Sequence, residues 1–428
     1  MVHSKKNIGE SMTTHPGKKN SSMSPVTVLL LFLCGAVVGT GAYTLSSVMM
    51  YALLGVVFAL YAILTMKRTF KVNLASNVLL LIYLVFLALN YLRDMGDATV
   101  ARLYLNFLLG IGTYLVLIKV FSLAPDMRRF RYLPLLSLLV IAAGIVLQLN
   151  GFISFRGDEE IASMDEGLLL RPGGFLNPNM SAALSLIWLF SALESKADIS
   201  YWQKLACVAI CIFVLSMTQS RAAWLFLSLY VIYKSWEGGA RVMKYYWIPV
   251  VLLILMLPFI SQMDALTDIY NSILLRFQGD GSSDERFLLL QSAMGIFADN
   301  PILGRGMRTM YRFFGLATHN ETVEWLVNFG MVGFFVMCLV VARFYYIGSF
   351  KYLCLCILPT FLFSHNFFET TAFQVALACA FAFATRPLSY PSLRRAPKRR
   401  YVPTAGGSGW AAPAPVIPVL HARPRVVL

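Results

Sequence analysis

The sequence predicts an all-α fold, a polytopic transmembrane helix bundle of about twelve spans with one long outer loop that contains short helices. Three observations predict it. The chain is 58% hydrophobic and only 13% charged, with mean hydropathy +0.67, too little polar surface for 428 residues in water. Apolar stretches near twenty residues recur along it, each able to cross the roughly 30 Å hydrocarbon core as a helix. The lysines and arginines between those stretches gather in every second loop.

Hydropathy places the spans near 25–43, 46–66, 74–92, 101–121, 133–150, 178–194, 204–218, 221–235, 245–261, 320–345, 350–364 and 367–385. With the N-terminus in the cytoplasm, the inner loops are the basic ones. They carry Lys67, Arg68 and Lys71, then Arg128, Arg129 and Arg131, then Lys196 and Lys204, then Lys234, Arg241 and Lys244, and lastly Lys351. Both termini are therefore expected in the cytoplasm. Residues 1–23 and 387–428 read as disordered basic tails near anionic lipid, and 24–386 as the membrane domain. The outer side receives 151–177, a short turn at 219–221, the long loop 262–319 and a turn at 365–367. Within the long loop, Phe287–Phe297 reads as an amphipathic helix and Asn300–Gly306 as turn-rich chain.

Several classes are excluded. The net charge of +15 is concentrated in the tails and inner loops, which is the mark of membrane orientation and not of nucleic-acid binding. Alternating strands of a barrel are missing. The first apolar stretch follows a basic segment, but with so many later spans it reads as an uncleaved helix. All seven cysteines fall in apolar stretches, and neither a metal site nor a disulfide framework is implied. There is no HExxH, no GxSxG and no phosphate-binding loop. No metal and no other cofactor is expected.

The outer loops hold the residues suited to chemistry. Arg171 lies in RPGGFLNPN, Arg221 in SMTQSRAAW and Arg286 in DGSSDERFLLL, with Arg276, Arg305, Arg308 and Arg312 nearby. Loop 262–319 contains five arginines and no lysine. Arginine alone favours planar, bidentate contact with phosphate, although pairing with Asp280, Asp284, Glu285 or Asp299 competes with that use. Arg221 stands where a helix enters the membrane and needs a partner there. Of five histidines, His319 and His365 map to the outer boundary, and histidine takes a proton near neutral pH. The acids of 158–166 read as a solvated loop. Together these residues suit a phosphate-rich lipid held by arginines, with one histidine as base.

Four blocks, RPGGFLNPN at 171–179, SMTQSRAAW at 216–224, ERFLLLQSAMGIFADNPILGRG at 285–306 and HNETVEWLVNFGMVG at 319–333, resemble the O-antigen ligase/polymerase superfamily of bacterial envelope proteins. The resemblance implies a metal-independent membrane glycosyltransferase of the inner membrane, with both termini cytoplasmic and its long loop and active site periplasmic. It would take O-antigen glycan from undecaprenyl pyrophosphate and transfer it to the lipid A-core oligosaccharide. His319 then resembles the general base. Arg221 and Arg286 resemble the pyrophosphate-binding arginines. Arg171, Asn320, Arg305, Arg308 and His365 are the further substrate-binding candidates. The chain departs from the pattern at Asn328-Phe329-Gly330, where a glutamate before the glycine is common. The alternatives are an O-antigen or exopolysaccharide polymerase and, from another class, a lipid-linked glycan transporter. Charges at the ends of spans favour an enzyme over a transporter.

Overall fold

In a computed structural model the chain is described over residues 24–66, 74–94, 98–123, 127–154, 171–195, 199–236, 282–316, 318, 320–342 and 370–385. The expected spans at 245–261 and 350–364, both tails, the acids of 158–166 and residues 262–281 of the long loop lie outside these residues. Among the described residues every regular element is helical and no strand occurs.

Helix α1 spans Pro25–Leu33, with Ser24 Oγ accepting from Thr27 N at 3.1 Å and proline at the first helical position. It continues as a π-helical turn, Cys34–Val38, so the first expected stretch is a composite and not one α-helix. Gly35 and Gly39 let neighbouring side chains approach this turn closely. A Cβ at Gly39 would stand 2.9 Å from the Trp188 ring, whose indole N–H donates to Gly39 O at 2.8 Å. Helices α2 (Ser47–Met66), α3 (Leu74–Arg93), α4 (Ala98–Leu123), α5 (Leu133–Leu149), α6 (Pro178–Leu193) and α7 (Tyr201–Thr218) follow the hydropathy pattern closely. Next come α8 (221–236), α9 (Ser282–Asp299), the short α10 (Thr309–Phe314), α11 (Glu321–Val340) and α12 (Thr371–Thr385).

Three of these, Val100–Phe121, Tyr201–Thr218 and Glu321–Val340, are long and apolar enough to cross a membrane, and several shorter apolar helices accompany them. The starts of α6 and α7 are written in sequence. Asn177 caps α6 ahead of Pro178, and Ser200 with Gln203 makes a reciprocal capping box on α7. Helix α12 is buried around its whole circumference from Thr371 to Phe383, packed between α4, α6 and the π-helical turn. Its alanine-rich sequence, TAFQVALACAFAFAT, permits that close approach. A helix apolar on every face belongs in the middle of a bundle.

Candidate functional site

The first assembly is built on the RPGGFLNPN turn. Gly174 adopts φ +72, and a Cβ there would meet the α5 backbone at Gly144 and Ile145 at 2.8 Å, so only glycine fits. Its N–H donates to Gln148 Oε1 at 2.6 Å. Thr44 Oγ1 donates to Phe175 O, and Ser181 Oγ to Gly173 O. The turn is thus fastened to α5, to the start of α6 and to the segment before α2.

Arg171, 3% exposed, reaches from this turn to the end of α7. Its Nε donates to Thr218 O at 3.0 Å and its Nη2 to Asn179 Oδ1 at 3.0 Å. Thr218 begins the corner that carries Arg221. Gln219 is left-handed there (φ 49, ψ 36), an uncommon conformation for a residue with a Cβ. Ser220 O accepts from Trp224 N, which makes Arg221 the first residue of α8. A half-buried guanidinium at the positive end of a helix dipole suits an anion. The structure therefore brings the Arg171 turn onto the Arg221 corner, and Arg171 itself holds the two together.

The second assembly joins DNPILGRG to the NFGMVG stretch of α11. Helix α11 is interrupted at Gly330, with φ 65 and ψ −165. An unbroken helix would pair Met331 N with Val327 O and Val332 N with Asn328 O. Instead the 301–306 turn inserts and takes all four groups. Val327 O accepts from Arg305 N at 2.9 Å and Asn328 O from Gly306 N at 2.9 Å, while Met331 N donates to Pro301 O at 2.9 Å and Val332 N to Ile302 O at 3.2 Å. The backbone thus remains satisfied through the break. A Cβ at Gly304 would lie 2.5 Å from the Asn328–Phe329 peptide, and one at Gly330 would lie 2.3 Å from Ile302 O.

This region of φ and ψ is essentially confined to glycine, so Gly330→Ala is expected to destabilise the protein by at least about 1–3 kcal/mol. Gly295, in mid-α9 with open space around it, supplies the control, since Gly295→Ala gains helix propensity. Thermal unfolding in detergent compares the two; a Gly330→Ala midpoint equal to that of Gly295→Ala contradicts the inserted-turn reading.

Helix α3 clamps the inserted turn from the other side. Arg93 Nη1 donates to Leu303 O at 2.8 Å and its Nη2 to Asn328 O at 3.0 Å. Asp94 Oδ2 accepts from Met307 N and from the Tyr104 hydroxyl, both at 2.9 Å. Sequence reasoning missed Arg93 and Asp94, because the first half of the chain offered only hydropathy. The one available signal was an Arg-Asp pair at the end of an apolar stretch.

Of the candidate arginines here, Arg305 pairs with Asp299 at 3.0 Å and lies over the Phe313 ring at 5.6 Å. Arg308 is left-handed (φ 60), precedes α10 and stacks over Tyr311 at 4.6 Å. Asn320 caps α11, its side chain accepting from Val323 N at 3.2 Å. Before it, Thr318 is held by Glu324, whose Oε2 accepts from Thr318 Oγ1 at 3.0 Å and from Thr318 N at 3.3 Å. The Glu324 Oε1 accepts from Asn328 Nδ2 at 3.4 Å, and Asn328 Oδ1 from Thr309 N at 3.1 Å. The asparagine side chain in the departing Asn-Phe-Gly stretch therefore ties the start of α10 to Glu324. The buried Glu321 accepts from Trp325 Nε1 at 3.0 Å. Glu324 and Thr318 were also missed in the sequence, although the pattern Thr-His-Asn-Glu-x-x-Glu was there to see. His319, His365 and the Arg286 side chain lie outside the described residues. The described residues contain no group of three or more His, Cys, Asp or Glu side chains placed to hold a metal.

No curated protein matches the chain. The O-antigen ligase family model matches residues 206–338, from within α7 to near the end of α11. That segment contains the Arg221 corner, the inserted turn and the α11 cap, while the Arg171 turn precedes it. Over this segment, about a third of its length, the chain is similar to the O-antigen ligase family, which together with the apolar helices points to a multi-pass membrane protein and to a glycosyl-transfer enzyme of the ligase or polymerase type.

Proposed function

We propose that the chain is an O-antigen ligase. In this reading it transfers glycan from undecaprenyl pyrophosphate to the lipid A-core oligosaccharide at the periplasmic face of the inner membrane. The supporting observation is the fixed frame around position 319. Thr318 is tied down by Glu324 and Asn320 caps α11, so both neighbours of His319 are held at the mouth of an apolar helix. About twelve spans with both termini cytoplasmic put that mouth, the Arg93–Asp94 end of α3 and the Arg221 corner on the same outer side.

His319 takes the proton from an acceptor sugar hydroxyl. The hydroxyl oxygen forms a bond to the anomeric carbon of the donor sugar, and the bond from that carbon to the pyrophosphate oxygen breaks. The electron pair leaves with undecaprenyl pyrophosphate. Arg221 and Arg286 neutralise the charge that develops on it. Pyrophosphate leaves readily, so the chemistry requires neither a metal nor a strong acid. Arg171 suits a positioning role, because its Nε holds the corner beside Arg221 through Thr218 O while its Nη2 holds Asn179 on α6. Arg305, Arg308 and His365 are proposed to line the approach of the substrates.

Glu324 is proposed as a positioning residue acting through Thr318. Small misplacements of a catalytic group cost up to about 100-fold. Glu324→Ala should lower kcat by about 10- to 100-fold with donor KM little changed. Glu324→Gln, which retains an acceptor for Thr318, should recover much of the loss. Steady-state kinetics on purified variants distinguishes this from a merely structural role, in which both variants would lose folded protein and keep the kcat of what remains. Restoration of O-antigen-bearing lipopolysaccharide in a ligase-deficient bacterium tests the function itself. Failure of a well-expressed chain to restore it counts against the ligase reading.

A further inference from the structure

The inserted turn presents an unusual combination. Its tip residues Ile302 and Leu303 are 67% and 61% exposed, yet the carbonyls behind them are engaged within the protein. Pro301 O and Ile302 O accept from α11, and Leu303 O accepts from Arg93. Non-helical backbone at membrane depth is tolerated only where its polar groups are satisfied by protein. A water-exposed turn has no such need, because solvent pairs its carbonyls.

The register of the turn on α11 fixes its depth. Arg305 and Gly306 pair at Val327 and Asn328, beside the charged Arg93 and Asp94. Pro301 and Ile302 pair at Met331 and Val332, about one helical turn, or roughly 5 Å, further along a helix apolar enough to cross a membrane. From that level onward the outward residues of α11 are also apolar: Met331, Val332, Phe335 and Leu339 are exposed. Above it the side chains change character. Arg305 extends over Phe313, an arginine–aromatic pairing suited to the headgroup layer.

We infer that Pro301–Leu303 is a lipid-facing wedge: Ile302 and Leu303 enter the hydrocarbon of the leaflet bordering the site, while Arg305 stays at the level of the lipid phosphates. The occupant of this surface is the bilayer itself. The turn would then act as a depth gauge, setting the arginine-bearing 305–312 stretch at the height where a lipid-linked phosphate resides. The inference does not depend on which glycan is transferred.

The test uses the full chain in nanodiscs of phosphatidylcholine and phosphatidylglycerol, without substrate. Ile302→Cys, Leu303→Cys and, for reference, the exposed Asp299→Cys each carry a nitroxide label, with the signal of the equally treated parent protein subtracted. Power-saturation measurements compare collision with oxygen, which partitions into hydrocarbon, and with a water-soluble nickel chelate. The wedge predicts at least several-fold greater preference for oxygen at 302 and 303 than at 299. Nickel accessibility equal to that at 299 would overturn it by placing the tip in water. Protection from both reagents would also overturn it, by showing that another protein segment covers the tip.

Discussion

His319→Ala is expected to lower transfer by about 10²- to 10⁴-fold, the usual contribution of a positioned general base. Expression and donor binding should persist, because the described contacts around position 319 do not depend on the imidazole. Thr318 is held by Glu324, and the helix start is capped by Asn320. The loss should fall on kcat, since proton removal from the acceptor belongs to the transition state and not to donor affinity. Rates with purified protein, together with a thermal shift induced by undecaprenyl pyrophosphate, separate the two effects. A variant that kept its rate would remove the histidine from the mechanism. One that lost the ligand-induced shift as well would move His319 into the binding site.

Arg221→Lys is expected to fail despite keeping the charge. Arg221 opens α8 immediately after a left-handed Gln219, and its corner is fixed by Arg171 through Thr218 O. Such a corner fixes the backbone from which the guanidinium extends, at a helix N-terminus. Lysine replaces the two-pronged donor with a point charge on a flexible stem. Loss of one charge-assisted hydrogen bond, about 1.5–3 kcal/mol, corresponds to roughly 10- to 100-fold in kcat/KM. Unchanged kcat/KM in the lysine variant would show that any cation suffices, and the bidentate part of the account would fall.

The helices were legible in the sequence because each is an apolar run bounded by polar or turn residues. The stretches read at 46–66 and 133–150 are Ser47–Met66 and Leu133–Leu149. Hydropathy could not show that α1 turns π-helical at Cys34, where Gly35 and Gly39 lie close against the distant Leu133 and Trp188. Nor could it show the break at Gly330. A single glycine in an apolar helix is ordinary. What breaks α11 is the arrival of the 301–306 turn, twenty-odd residues earlier in the chain, which takes the hydrogen bonds of the helix. The turn at Asn300–Gly306 was readable from its proline and glycines, but its partner was not.

In the site, the motif arginines were visible as residue types while their assignments were not. Arg305 has the acidic partner, Asp299, that the sequence offered as the competing use. Arg171 lies in the structure as a buried fastening between two motifs. Glu324 acts on Thr318 close by, within a pattern that was readable, whereas Arg93 and Asp94 escaped notice because they act on backbone more than two hundred residues away. Such roles leave no local pattern.

Reconstitution tests transfer to the lipid A-core most directly. Purified protein is mixed with undecaprenyl-pyrophosphate-linked glycan and rough lipopolysaccharide in EDTA, and the products are resolved on a gel. A ligase forms a glycan-bearing lipopolysaccharide band without divalent metal, and His319→Ala abolishes that band. A ladder of longer lipid-linked glycan with unmodified lipopolysaccharide would contradict the ligase reading, making a second lipid carrier the acceptor and the protein a polymerase.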